Sequence, residues 1–435
     1  MRERAERARA AERAWGTGEP SLRRLGPVAR GIILLRAVRS LGQGLLVVDF
    51  VLYLHALGWS AAAIGALLSV SGLVGAGLLL SVGVLSDRLG RKPFIVAYEC
   101  LLLVGTGAVV LDHGPVVIAL AATLLGFGRG ANGAAGPFGP AEQAWLARHT
   151  PARWRGWTFS LNSAAGFFGM GAGALGAGLI ALAVPHLPVV ARYNAVFVVT
   201  LVVTAVNLVQ ALLLPERGPE AEATDAERGP AREGEPAALS RRDQNHALAL
   251  VLLINAVNSV GIGLVGPLIP YWFAVRFGAG PATIGPVYAL TFVLTGLASL
   301  ATGEWSARAG LLASVVWPRL IGVAAMVAMA LSPTYALASG LYVVRSMLNR
   351  SSTGARQAFS MGLVGNERRG LAASLTALSM RLPSALGTAV GGLFFAARAF
   401  TAPFLLAAAL QLLFALLYGT VLRPYQDVAQ PPTEA

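Results

Sequence analysis

The sequence predicts an all-α membrane protein, with twelve transmembrane helices in two pseudo-symmetric six-helix bundles. Three observations carry that reading. The 435-residue chain is 55% hydrophobic and only 13% charged, whereas soluble domains are about a quarter charged. It offers about a dozen stretches near the roughly 20 apolar residues that a helix needs to cross a hydrocarbon core with its backbone satisfied internally. Its two halves also repeat each other, motif by motif and in the same order.

The spans run over residues 31–54, 63–83, 94–112, 116–138, 157–183 and 192–214, then 246–273, 282–302, 312–331, 334–352, 370–396 and 400–421. Ahead of them, residues 1–30 form an arginine-rich tail. Its first stretch, MRERAERARAAERAW, sets Glu3 one helical turn from Arg7 and lacks the apolar core of a signal peptide, so it reads as a surface helix or as disordered chain. Between the sixth and seventh spans, residues 215–245 are rich in charge, Pro and Gly with no apolar periodicity, a flexible linker. The expected domains are therefore tail 1–30, bundle 31–214, linker 215–245, bundle 246–422 and tail 423–435.

A formal net charge of +13 raises the question of nucleic acid, but its distribution answers differently. Arginines crowd the N-terminal tail and every second loop, 86–92, 146–156, 215–244 and 362–369, while the intervening loops hold few. That alternation is the positive-inside pattern and puts both termini and the linker in the cytoplasm, with the chain in the cytoplasmic membrane. The single cysteine, Cys100, excludes an internal disulfide or a Cys-based metal site. The five histidines fall near predicted membrane surfaces without metal-ligand spacing. No phosphate loop or nucleophile constellation is present, so the chain reads as a non-enzyme without cofactor or metal, driven by a gradient rather than by ATP.

The repeat is visible at three places. RAVRSLGQGLL (36–46) matches NAVNSVGIGLV (255–265), an offset of 219. Gly83, Arg88 and Gly90 match Gly303, Arg308 and Gly310, offset by 220. PAEQA (140–144) matches GARQA (354–358), and RG at 155 recurs at 369, both offset by 214. A duplicated six-helix unit follows, its halves related by an axis along the membrane normal.

Gly83, Asp87, Arg88, Gly90, Arg91 and Lys92 stand as G-x-x-x-D-R-x-G-R-K, which resembles the signature loop between the second and third helices of major facilitator superfamily transporters. RGANGAAG, from Arg129, is similar to that superfamily's fourth-helix motif, with Asn132 where glutamine is commoner. The resemblance covers about residues 30–422 and is closest in kind to drug/proton antiporters. It implies a rocker-switch carrier whose first, fourth, seventh and tenth helices line a central site. It also implies that Asp87 latches the halves by meeting the start of the eleventh helix near Arg369 and Gly370, favouring the outward-facing state. A carboxylate at a helix N-terminus is worth typically about 0.3–1 kcal/mol. Arg88 and Arg91 could pair with Glu142, completing the latch. The plainer alternative is a topology signal of positive loop charge. Gly166, Gly169, Gly173 and Gly176 recur on one face of the fifth span, and Gly387, Gly391 and Gly392 in the eleventh, which suggests close packing between the halves. The fifth-span run is similar to the antiporter glycine motif but lacks a proline after Gly173.

Ionisable groups at membrane depth carry the functional expectations, because each costs about 2.5–3.5 kcal/mol to insert. Asp49 lies about 27 Å along the first span, in its outer half, and is the proton-coupling candidate; the alternative is a carboxylate at the outer surface or paired with an arginine. Glu99 reads as interfacial. Arg39 and Glu142 fall at similar depth and suggest a tie between first and fourth spans, with Asn258 and Arg356 as a hydrogen-bonded counterpart. Two functions follow. One is proton-coupled efflux of small amphipathic compounds through a cavity lined by Gln43, Phe127, Arg129, Asn132, Asn258, Tyr288, Phe292, Arg345 and Asn349. The other is transport of an organic anion bridged by Arg129 and Arg345. The expected partners are a small-molecule substrate, protons and the lipid bilayer, with no nucleic acid and a monomeric state.

Overall fold

The structure is a computed structural model. It describes residues 20–128, 136, 139–151, 154–216, 240–351, 353–364 and 369–429, with side chains set aside at 83–84, 87–89, 140, 301–309, 351, 353–355, 358, 369–371, 427 and 429. Among these residues regular structure is entirely helical. The first half contains α1 (Pro27–Ala56), α2 (Ala61–Leu89), α3 (Lys92–Leu111), α4 (Pro115–Leu125), α5 (Gly139–Arg148), α6 (Arg155–Ala183) and α7 (Val189–Leu213). The second contains α8 (Arg241–Val265), α9 (Ile269–Phe277), α10 (Pro281–Ala309), α11 (Ala313–Ala330), α12 (Tyr335–Ser351), α13 (Thr353–Gly362), α14 (Arg369–Ala396) and α15 (Ala402–Val421).

Nine stretches among the described residues are long and apolar enough to cross a membrane. The remaining spans have a physical reason to look different. The fourth is divided: α4, at 11 residues and about 16 Å, is too short to cross alone and stops at Gly126 in the left-handed region, φ +77°. The tenth is divided between α12 and α13, and the eleventh, α14, is 28 residues long but carries Arg369 and Arg381. Counted this way the helices form twelve consecutive spans, as the sequence predicted.

Local signals set the boundaries. Proline opens α1 and α4, where its missing N–H costs nothing, and Ser60 and Ser240 cap α2 and α8 by accepting from Ala63 N and Asp243 N, both at 3.2 Å. Pro286, Pro318 and Pro383 lie inside α10, α11 and α14, each taking one N–H out of its helix ladder.

The glycines reveal two kinds of seam. Gly169 and Gly173 on α6 press on the backbone of Ala37 and Leu41 in α1, and Gly387 and Gly391 on α14 press on Val260 and Leu264 in α8. These runs pack within their own half, which corrects the expectation that they join the halves. The exception is Gly392, whose added Cβ would lie 2.9 Å from Gly65 Cα on α2. Contacts between halves otherwise use a different face of α6: a Cβ on Gly171 would lie 3.2 Å from Ala289 O, and one on Gly178 would lie 3.2 Å from Pro281 O of α10. These cross-half approaches, together with Gly72 against Ala385, fall between the middle of the bundle and the end opposite the termini.

Candidate functional site

Polar groups inside an apolar helix bundle are expensive unless paired, so the site is read from where they collect. In the first half they collect around Arg39 on α1. Arg39 Nε donates to Glu99 Oε1 at 2.6 Å, and its Nη1 donates to Glu142 Oε2, all three residues being at most 4% exposed. Asn207 on α7 donates to Glu99 Oε1 at 2.8 Å and Asn162 on α6 to Glu142 Oε1 at 3.2 Å. Arg36 lies within electrostatic reach of Glu142. The expected tie between first and fourth spans therefore exists, but it is a five-helix network. Glu99 is no interfacial residue: it stands seven positions into α3, about 10 Å from the end, and is 1% exposed. Glu142, expected to help the loop latch, gives its oxygens to Arg39 and Asn162, and the side chain of its expected partner Arg88 lies outside the described residues.

Above this network, toward the end opposite the termini, lies a cavity of about 40 Å³, room for roughly three waters. Gln43, Phe127 and Thr200 line it with Arg39, Glu99 and Asn207. Gln43 and Phe127 thus border a space inside the first half. Phe127 also packs edge-on to Phe50 at 5.7 Å. Asp49 stands two helical turns from Arg39's neighbour Gln43, is 2% exposed, and has no hydrogen-bond partner on either carboxylate oxygen. Tyr193 on α7 is within its electrostatic reach, and Tyr53, one turn further, meets His113 Nδ1 at 3.0 Å.

The second half answers each member of the first network through the repeat. Arg36, Arg39, Glu99 and Glu142 correspond to Asn255, Asn258, Arg319 and Arg356, at offsets of 219, 219, 220 and 214. Two cations balanced by two anions become two cations and two amides. Among the described residues of this half no Asp or Glu is buried, while Arg319, Arg345 and Arg356 are at most 5% exposed. The expected bond between Asn258 and Arg356 is absent: Asn258 makes no hydrogen bond, and Arg356 Nη1 points to Met380 Sδ at 3.7 Å. Arg319, not foreseen from sequence, donates to Asn349 Oδ1 at 2.8 Å and to Gln411 Oε1 at 3.2 Å. Applying the offset of 220 to Glu99 would have found it.

Of the cavity set, Tyr288 and Phe292 are fully buried on α10, with Arg350 stacked 4.8 Å from the Phe292 ring and Phe167 of the first half 6.5 Å away. Arg345 is 4% exposed and its Nε has no hydrogen-bond partner. Arg129 and Asn132 lie outside the described residues. In the signature loop, Gly90 adopts φ +94°, Arg91 N donates to Glu216 Oε1 at 2.6 Å, and Lys92 Nζ donates to Leu212 O at 2.7 Å. Gly83 lies within α2; the side chains of Asp87, Arg88 and Arg369 and all of 365–368 lie outside what the structure describes, and so does the proposed latch.

Comparison with known proteins places this architecture. The family model "Major Facilitator Superfamily" matches residues 32–254. Multidrug resistance protein MdtH of Cronobacter sakazakii is 32% identical over 105 residues, 21% of this chain and 26% of that protein, so the match spans about a quarter of the relative's length. Among solved structures, a mutant of the nucleoside transporter NupG superposes with TM-score 0.68 at 12% identity, covering 90% of this chain and 98% of that one. A bacterial homologue of the human lysosomal transporter Spinster gives TM-score 0.64 at 14% identity over 92% and 96% of the two chains. The human organic anion transporter MFSD10 gives 0.59 at 16% identity over 92% and 100%.

Proposed function

The chain belongs to the major facilitator superfamily, and we propose that it is a proton-coupled carrier exporting small amphipathic compounds, with Asp49 as its proton site. The observation that carries this reading is the burial of Asp49 with neither oxygen hydrogen-bonded. An ionised carboxylate in such surroundings is costly, so Asp49 must take a proton or meet a cation, and a coupling group has to do both in turn. The partial likeness to a multidrug resistance protein supports the export direction.

Residues 31–214 and 246–422 would rock as two bodies in the cytoplasmic membrane, as a monomer with both termini inside. With that orientation, the glycine approaches between α2 and α14 and between α6 and α10 lie toward the outer side and would close it in this arrangement. The latch formed by Asp87 would act in the opposite state.

A second reading has its own observation. The excess of buried arginines in the second half favours an organic anion held between Arg129 and Arg345. Thermal unfolding of the purified protein with a panel of lipophilic cations and organic anions separates the two. Stabilisation by cations in wild type that disappears in Asp49→Asn supports proton-coupled export. Stabilisation by anions that survives Asp49→Asn and disappears in Arg345→Gln overturns it in favour of the second reading.

A further inference from the structure

Arg319 on α11 is 1% exposed. Its Nη1 donates to two neutral side-chain oxygens, Asn349 Oδ1 and Gln411 Oε1, and its guanidinium carbon lies 5.2 Å from the centre of the Phe414 ring. The opposite edge, Nε and Nη2, has no hydrogen-bond partner. That edge offers parallel N–H donors, the fork that grips a compact oxyanion in bidentate fashion or a halide between two hydrogens.

The surroundings add neutral amides rather than carboxylates. Gln411 Nε2 and the amide groups of Asn255 and Asn258 on α8 are fully buried and without hydrogen-bond partners. Gln411 lies against Gly261, one turn beyond Asn258, so α8 and α15 bring these amides to the same level of the bundle. Among the described residues, the charged groups within electrostatic reach of Arg319 are two more arginines, Arg345 and Arg356.

Buried like charges without a counter-charge are strongly unfavourable. In the first half the same positions supply their own counter-charges, Glu99 and Glu142. We propose that the second half instead binds a small monovalent anion, a halide or a compact oxyanion, on the Nε–Nη2 edge of Arg319. The proposal is independent of the role of Asp49. It assigns a site inside one bundle, apart from the space between the bundles where a transported solute passes.

The test uses the full-length purified protein in detergent at fixed pH and ionic strength, with sodium gluconate replaced stepwise by chloride or nitrate. Gluconate, a far bulkier anion than chloride or nitrate, serves as the blank. Wild type should gain unfolding temperature with rising anion, and above the dissociation constant each tenfold increase should add a constant increment. Arg319→Gln should lose that response, with apparent affinity at least tenfold weaker. Gln411→Glu places a carboxylate beside Arg319, so it should raise the unfolding temperature in gluconate and flatten the anion response. Bromide-soaked crystals of wild type should show the ion at Arg319. A wild type indifferent to chloride and nitrate overturns the proposal. So does an anion response that persists in Gln411→Glu, which decides the matter even where Arg319→Gln fails to fold.

Discussion

The two halves share a chain path and differ in what they do with buried charge. In the first, Arg39 is enclosed by Glu99 and Glu142, whose other oxygen contacts come from Asn162 and Asn207. In the second, the equivalent positions hold amides and arginines, and no buried carboxylate answers them among the described residues. The duplicated backbone therefore fixes where polar side chains gather but leaves their sign open. A network that neutralises itself can only brace the helices it joins. One that does not neutralise itself has affinity to spare for something brought from outside.

The largest effect should come from making the first half resemble the second. Arg39→Asn installs the residue found at the repeat-equivalent Asn258 and leaves two carboxylates buried side by side. Removing one partner of a buried ion pair costs about 3–5 kcal/mol, so Arg39→Asn should unfold roughly 10 °C below wild type or fail to accumulate. The double variant Arg39→Asn, Glu99→Gln leaves Arg36 balanced by Glu142 and should recover most of the loss in a thermal-unfolding assay. Failure of the double variant to recover would mean that the network acts through its shape rather than its charge.

Much of this contrast is legible in the sequence, and the illegible part has physical causes. The spans and the repeat follow from apolar length and from near-constant offsets, and the tie between Arg39 and Glu142 follows from depth counted along two helices. Glu99 looks interfacial when only its nearness to the helix end is weighed, yet seven residues of helix carry a carboxylate about 10 Å inward. Arg319 is legible, since it lies inside the predicted span 312–331 and the offset of 220 leads to it from Glu99; reading Glu99 as interfacial removes the reason to look for its counterpart. The glycine runs show why periodicity has limits. It identifies a face but not the neighbour that the face meets, and here that neighbour is a helix of the same half. The cavity beside Gln43 needs four helices brought together, which no single stretch of sequence encodes.

Where the halves agree, mutations should agree too, and this gives an intermediate effect. Gly173 meets Leu41 O and Gly387 meets Val260 O; the glycines are 214 residues apart and their partners 219. An added methyl on either would press on backbone, which cannot swing aside. Gly173→Ala and Gly387→Ala should each cost about 1–3 kcal/mol and lower the unfolding temperature by similar amounts. A loss confined to one of them would show that the repeat in sequence is not a repeat in packing.

The smallest effect on stability should come from the seam between the halves, and there the readout is conformational. Gly171 faces Ala289, while its repeat-equivalent is Ala385, which faces Gly72. Both of these cross-half contacts thus pair one glycine with one alanine. Gly171→Ala turns one contact into alanine on alanine, with a Cβ 3.2 Å from Ala289 O, so the helices must separate by a few tenths of an ångström. Because α6 and α10 belong to different bodies, that strain is relieved by parting the bodies and not by unfolding either one. The unfolding temperature should therefore stay close to wild type. Spin labels at the exposed positions Ser60 and Ala397, on a Cys100→Ser background, would report the distance between the halves at that end of the bundle. Gly171→Ala and Gly72→Ala should both enlarge the population with the longer distance, whereas Gly173→Ala, inside one half, should leave the distribution unchanged. An unchanged distribution in the first two variants would mean that this seam does not move.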